Sequence, residues 1–109
     1  MPIINVDEAP VSQSEFHKSK VFVSPKVLNS MHMAVRMNEL SAGFSHESHT
    51  HITDEMLIIL DGKGEYLEMD EKYLIEPMSV VYIPRGTVHS VRVVGKTPLK
   101  LIVINAPPD

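Results

Sequence analysis

The chain of 109 residues contains no cysteine. This removes disulfides, thiolate metal ligands and cysteine nucleophiles together, and it is compatible with a reducing compartment. It has no cluster of lysine and arginine either, and its formal charge is -4. Without a basic stripe and interleaved aromatics there is no footprint for a phosphate backbone, so nucleic acid is not an expected partner. The apolar runs are only a few residues long, too short for a spanning helix, so no membrane is expected. The opening "MPIINVDEAP" has neither the basic nor the apolar region of a secretory leader. A cytoplasmic protein is expected. No segment keeps helical periodicity for three turns, and no repeat or low-complexity tract suggests a solenoid.

What is present reads as one globular domain with a single core. Residues 1–19 are polar and carry Pro2 and Pro10, which marks them as an N-terminal arm ahead of a domain over residues 20–109. From Lys20 the chain alternates short β-rich runs with turn formers. The runs are "VFV", "MHMAVRM", "MLIIL", "GEYLEM", "YLIE", "SVVYI", "HSVRVV" and "LKLIVIN". The breaks, among them Asp61-Gly62-Lys63-Gly64, Glu76-Pro77 and Pro84-Arg85-Gly86, recur at about the 8–12-residue spacing of an antiparallel sandwich or barrel. The fold class is all-β.

The histidines are unevenly distributed. Three of the six lie in "GFSHESHTHITDEMLIILDG", residues 43–62. Residues two apart in a strand face the same side, so His49 and His51 would project together, and Glu55 shares their parity. Leu57 and Ile59 continue that parity as apolar residues, which puts the carboxylate in a greasy wall. A divalent cation is the simplest compensation for such burial. A lone His-x-His pair reads more readily as an exposed loop. The added Glu, the flanking glycines and the downstream His89 favour a metal site instead. His89 begins the strand that follows the Pro84–Gly86 turn, and in a barrel it would stand opposite His49 and His51.

These residues resemble the first motif of the cupin superfamily, Gly-x5-His-x-His-x3-Glu-x6-Gly, which Gly43, His49, His51, Glu55 and Gly62 satisfy at every spacing. Pro84, Gly86 and His89 are similar to the second motif, Gly-x5-Pro-x-Gly-x2-His-x3-Asn, but Met78 stands at its glycine and Val93 at its asparagine. Met78 leaves the turn after Pro77 open to question, because glycine there would take a positive φ. The resemblance covers roughly residues 20 to 106. It implies a double-stranded β-helix, the jelly-roll cupin barrel, with one divalent transition metal (Mn, Fe, Co, Ni, Cu or Zn) held by His49, His51, Glu55 and His89. About two open positions on a six-coordinate ion would serve water, oxygen or a bidentate small-molecule substrate.

Among the remaining residues, Arg36 has His32, Ala34 and Asn38 at its parity. It reads as a surface charge more readily than as a grip on a substrate carboxylate or phosphate. Met31, Met33, Val35 and Met37 form the opposite face, and methionines are expected to fill irregular core. Tyr66, Tyr73 and Tyr82 read as sheet-packing residues. His46 has the wrong parity for the shell, and His17 and His32 read as surface or interface. The leading functional expectation is a small metalloenzyme with dioxygenase-type or isomerase/lyase chemistry, in which Glu55 is a ligand or a catalytic proton shuttle. The alternatives are a non-catalytic module that binds or senses a sugar-like ligand, and a purely structural metal. A homodimer is expected, in which the polar N-terminal arm and the β-rich ends, "VFV" and "LKLIVIN", pair as edge strands.

Overall fold

The computed structural model describes residues 3–28, 30, 32–46 and 48–108. Among the described residues a 3-10 turn at Val6–Glu8 precedes nine strands: β1 (Val11–Gln13), β2 (His17–Val23), β3 (Ala34–Leu40), β4 (Asp54–Asp61), β5 (Lys63–Glu68), β6 (Glu71–Ile75), β7 (Val80–Ile83), β8 (His89–Val94) and β9 (Leu99–Ala106). Strands β2 to β9 overlap the eight β-rich runs of the sequence. All pairing is antiparallel. One sheet has the order β1-β2-β3-β9-β4-β7 and the other β6-β5-β8. The arrangement is that of a jelly-roll barrel.

The period-2 pattern makes the sheets two-sided. Leu99, Leu101 and Val103 of β9 and Leu57 and Ile59 of β4 point inward from the larger sheet. They meet Tyr66, Ile75, Val91 and Val93 of the smaller one. Ile59 and Leu99 are fully inaccessible, so this end of the barrel is dry and close-packed. None of the described methionines is among the buried residues, and Met33, Met69 and Met78 are largely exposed. The expected methionine core is therefore corrected: β-branched residues and leucines, with stiffer and better-defined side chains, fill it. Met31 lies outside the described residues.

Two turns close this dry end. At the β4–β5 turn Gly62 has φ +82, and a Cβ there would lie 2.3 Å from the Pro98 carbonyl oxygen. Only glycine fits a backbone approach of that kind. In the turn after β6, the Ser79 N–H donates to the Glu76 carbonyl at 2.9 Å, and Met78 adopts φ +76. Pro77 followed by a positive φ is the pattern of a type II turn. The turn is thus kept without its glycine, at the strain cost of a side chain in the left-handed region.

The edge-strand expectation is corrected for "LKLIVIN", whereas the N-terminal arm does supply an edge, since β1 is the outermost strand of the larger sheet and is exposed. "VFV" lies in β2, which is hydrogen-bonded to β1 on one side and β3 on the other, and "LKLIVIN" forms β9, between β3 and β4. β9 is paired on both sides along its length, whereas β1 meets β2 only at Lys18–Lys20, ahead of "VFV". β9 buries Leu99, Leu101, Val103 and Asn105, while Ile102 and Ile104 on its other face stay partly exposed. No helix among the described residues is long and apolar enough to cross a membrane.

Candidate metal centre

The segment before β4 is not a regular strand, which corrects the parity argument for His49 and His51. It runs along β8 through isolated bridges, Ser45 opposite Arg92 and His49 opposite His89. The His49 N–H donates to the His89 carbonyl and the His89 N–H to the His49 carbonyl, both at 2.9 Å. His51 is fixed differently. Its carbonyl accepts the Gly86 N–H at 2.9 Å, from the turn that Pro84 initiates and from which His89 follows. That turn is itself clamped to the start of β4, where the Arg85 backbone N–H and guanidinium both donate to the Asp54 carboxylate. The Arg85 hydrogen bonds hold the Asp54 carboxyl below its usual range.

This backbone wiring brings one ring nitrogen of each of His49, His51 and His89 within 4.8 Å of the others. His89 Nδ1 lies 2.9 Å from the Thr87 carbonyl, so Nδ1–H is the donor and Nε2 keeps its lone pair. Burial, followed by the neighbouring His49 imidazole, pushes the His89 pKa down, favouring the neutral form that ligates. Tyr66 stacks behind His89 with ring centroids 6.0 Å apart, while its hydroxyl donates to Glu68 at 2.7 Å, away from the imidazoles.

Glu55 sits at the start of the regular strand β4, on the same inward face as Leu57 and Ile59, as its parity predicts. Its Oε2 is 3.3 Å from His51 Nε2 and accepts from Asn105 Nδ2 at 3.0 Å. Asn105, almost wholly buried, also donates to Thr53 Oγ1 at 3.2 Å and accepts from Arg36 Nη2 at 3.4 Å. Donors that share an ion at about 2.1 Å stand about 3 Å apart when adjacent and about 4 Å when opposite. The three imidazole nitrogens are near that spacing, whereas the Glu55 carboxylate, 3.3 Å from His51, falls outside the group of ligand atoms within 4.8 Å of one another; the imidazoles suit a divalent transition ion better than Mg or Ca.

All four line one cavity of about 560 Å³, within the range of small-molecule sites. A model of the cupin domain matches residues 36–105, which include both motifs. The chain belongs to the cupin family. An uncharacterized protein of Methanocaldococcus jannaschii is 34% identical to it over 61 residues, covering 55% of this chain and 49% of that protein, so the match spans about half the length of that relative. Among solved structures, a predicted oxalate decarboxylase from Thermotoga maritima superposes with TM-score 0.84 at 18% identity, covering 97% of this chain and 99% of that one. Ectoine synthase from P. lautus gives TM-score 0.85 at 16% identity over 100% and 80% of the two chains. At these identities the structural likeness establishes the fold alone.

Several residues of this cupin's cavity differ from their sequence expectation. Arg36 is half-buried and lines the cavity instead of the surface, with Asn38 beside it. The outward face of β3 is the one carrying Met33, Val35 and Met37, the reverse of a hydrophobicity-based reading. His17 also lines the cavity, whereas His32 is exposed as expected. His46 lies outside the three-imidazole group, but its ring centroid is 5.1 Å from that of His49, and burial followed by that neighbour lowers its pKa. Asn105 was not singled out from sequence. Its signal was available: it ends the inward series Leu99, Leu101, Val103 as the one polar member.

Proposed function

We propose that this cupin binds one divalent transition metal through His49, His51, His89 and Glu55 and acts as a small metalloenzyme on a small organic substrate in the adjoining cavity. The observation that carries the reading is the convergence of three imidazole nitrogens beside a carboxylate that is buried yet open to the cavity. When bound, such an ion supplies Lewis-acid polarisation or oxygen activation at its open positions, the basis of dioxygenase-type or isomerase/lyase chemistry. The chain's own residues do the rest. Glu55 Oε2, oriented by Asn105, is the group able to hold or move a proton at the substrate. Leu57, Leu101 and Val103 line the apolar part of the cavity and keep water from that wall.

The test has two parts. Water-proton relaxation of Mn-loaded protein is expected to reveal at least one exchangeable water. Turnover is then expected from at least one member of a panel of diketones, catechols, uronates and thiols. A metal without exchangeable water would mean a structural ion. Open coordination with no turnover across the panel would move the protein to ligand binding or sensing. A homodimer is proposed as well, and sedimentation showing a monomer at micromolar concentration rejects it.

A further inference from the structure

Beyond the metal ligands, the cavity has a second polar wall. Strand β3 turns Arg36 and Asn38 inward, and β2 brings His17 alongside, since His17 pairs with Leu40 and Ser19 with Asn38. His17 and Asn38 are thus diagonal neighbours about 7–8 Å apart, and Arg36 is next to Asn38 on the same face of β3, opposite Val21. Three observations on this wall are unaccounted for by the fold. The half-buried Arg36 guanidinium makes a 3.4 Å contact to Asn105 Oδ1, and no carboxylate is within ion-pair distance of it among the described residues. His17 Nε2 is covered and meets no hydrogen-bond partner among the described residues. The same holds for Asn38 Oδ1. Buried polar atoms in native proteins are nearly always paired, so a cluster of unpaired ones on a cavity wall points to a ligand.

We propose that Arg36, Asn38 and His17 form a carboxylate-recognition subsite, so that the cavity takes a small organic acid. This rests on the reading of the same cavity as the substrate site. Arginine is charged at any working pH and presents a planar fork that matches a carboxylate bidentately. The sole carboxylate lining the cavity among the described residues is Glu55, which is engaged by His51 and Asn105. The Asn105 amide fixes the direction of the arrangement. Its Oδ1 must face the guanidinium, which only donates, and its Nδ2 must face the Glu55 oxygen, which only accepts. Arg36 is thereby held two hydrogen bonds from Glu55, beside the imidazoles. A substrate carboxylate at Arg36 would lie next to the reacting end of the cavity, and a small turn of the Asn38 side chain would bring its covered Oδ1 to a hydroxyl or amine of the ligand. A single full cation suits a carboxylate better than a phosphate dianion, which calls for more positive charge.

The experiment is equilibrium binding of malate, 2-oxoglutarate and 2-hydroxybenzoate, each beside its methyl ester, with inorganic phosphate as a further probe. It uses the full chain as purified, with metal content measured in the same samples. At least one acid is expected to bind about tenfold or more tightly than its ester. Arg36→Met is expected to abolish that preference and Arg36→Lys to retain part of it, both with unchanged metal content and a cooperative thermal transition. If Arg36→Met does not fold, Arg36→Lys carries the test, and a preference equal to wild type in it counts against the subsite. Acids that bind no better than esters, a preference that survives Arg36→Met, or phosphate binding tighter than every acid would overturn the proposal. The two readings separate cleanly. A carboxylate preference dependent on Arg36 in protein that takes up no metal sinks the metal centre and keeps the subsite, and bound metal without the preference does the reverse.

Discussion

The stretch from Gly43 to Gly62 divides at Thr53 into two halves that are built differently. After it, β4 is a regular strand, paired on both sides and sealed by Leu57 and Ile59. Before it, the chain is irregular and is held to β8 and to the Pro84–Gly86 turn by a few backbone hydrogen bonds. Glu55 belongs to the first kind of structure, His49 and His51 to the second. The carboxylate is placed by the core, whereas the imidazoles are placed by the contact between the two motifs. Stability and ligand geometry should therefore respond to different substitutions.

The largest expected effect on folding is in the regular half. Ile59→Ala opens a cavity in the close-packed core and should cost about 2–5 kcal/mol, read from denaturant unfolding, while the folded fraction should take up added metal as the wild type does. Asn105→Ala acts at the junction. It leaves the buried Glu55 and Thr53 without their donor, an expected loss of about 1–3 kcal/mol. As the partner that orients a ligand, Asn105 is also expected to support metal affinity, so a titration should show it weakened by about 10–100-fold. A variant that loses stability without losing metal affinity would detach Glu55 from the metal centre. The smallest effect lies far from the site. Met78→Gly relieves the left-handed methionine and should stabilise the protein by about 1 kcal/mol, raising the unfolding midpoint by about 4 °C with metal content unchanged. A drop in stability would mean that the exposed Met78 side chain makes a contact of its own.

Much of this was legible in the sequence, for a physical reason. Strand runs and turn formers are local signals, and the eight runs reappear as β2 to β9. The inward place of Glu55 follows from its parity with two leucine-like neighbours, and the spacing of both motifs fixes which histidines meet. Which face of β3 points inward was not legible. Alternation defines two faces without saying which is buried, and a cavity lined with Arg36 and Asn38 reverses the usual preference of apolar residues for the interior. His17 was hidden for a related cause, because its direction depends on pairing with β3, a contact between distant parts of the chain. The irregular path of residues 41–46 and 48–53 was equally invisible, since it is set by β8 and the turn before it.

The most direct test of the metal centre is elemental analysis of protein purified without an affinity tag, comparing wild type with the His49→Ala, His51→Ala double variant. Near-stoichiometric Fe, Mn, Co, Ni, Cu or Zn in the wild type and its loss in a folded variant is the expected result. Wild-type protein that carries no metal and takes none up on titration would contradict it.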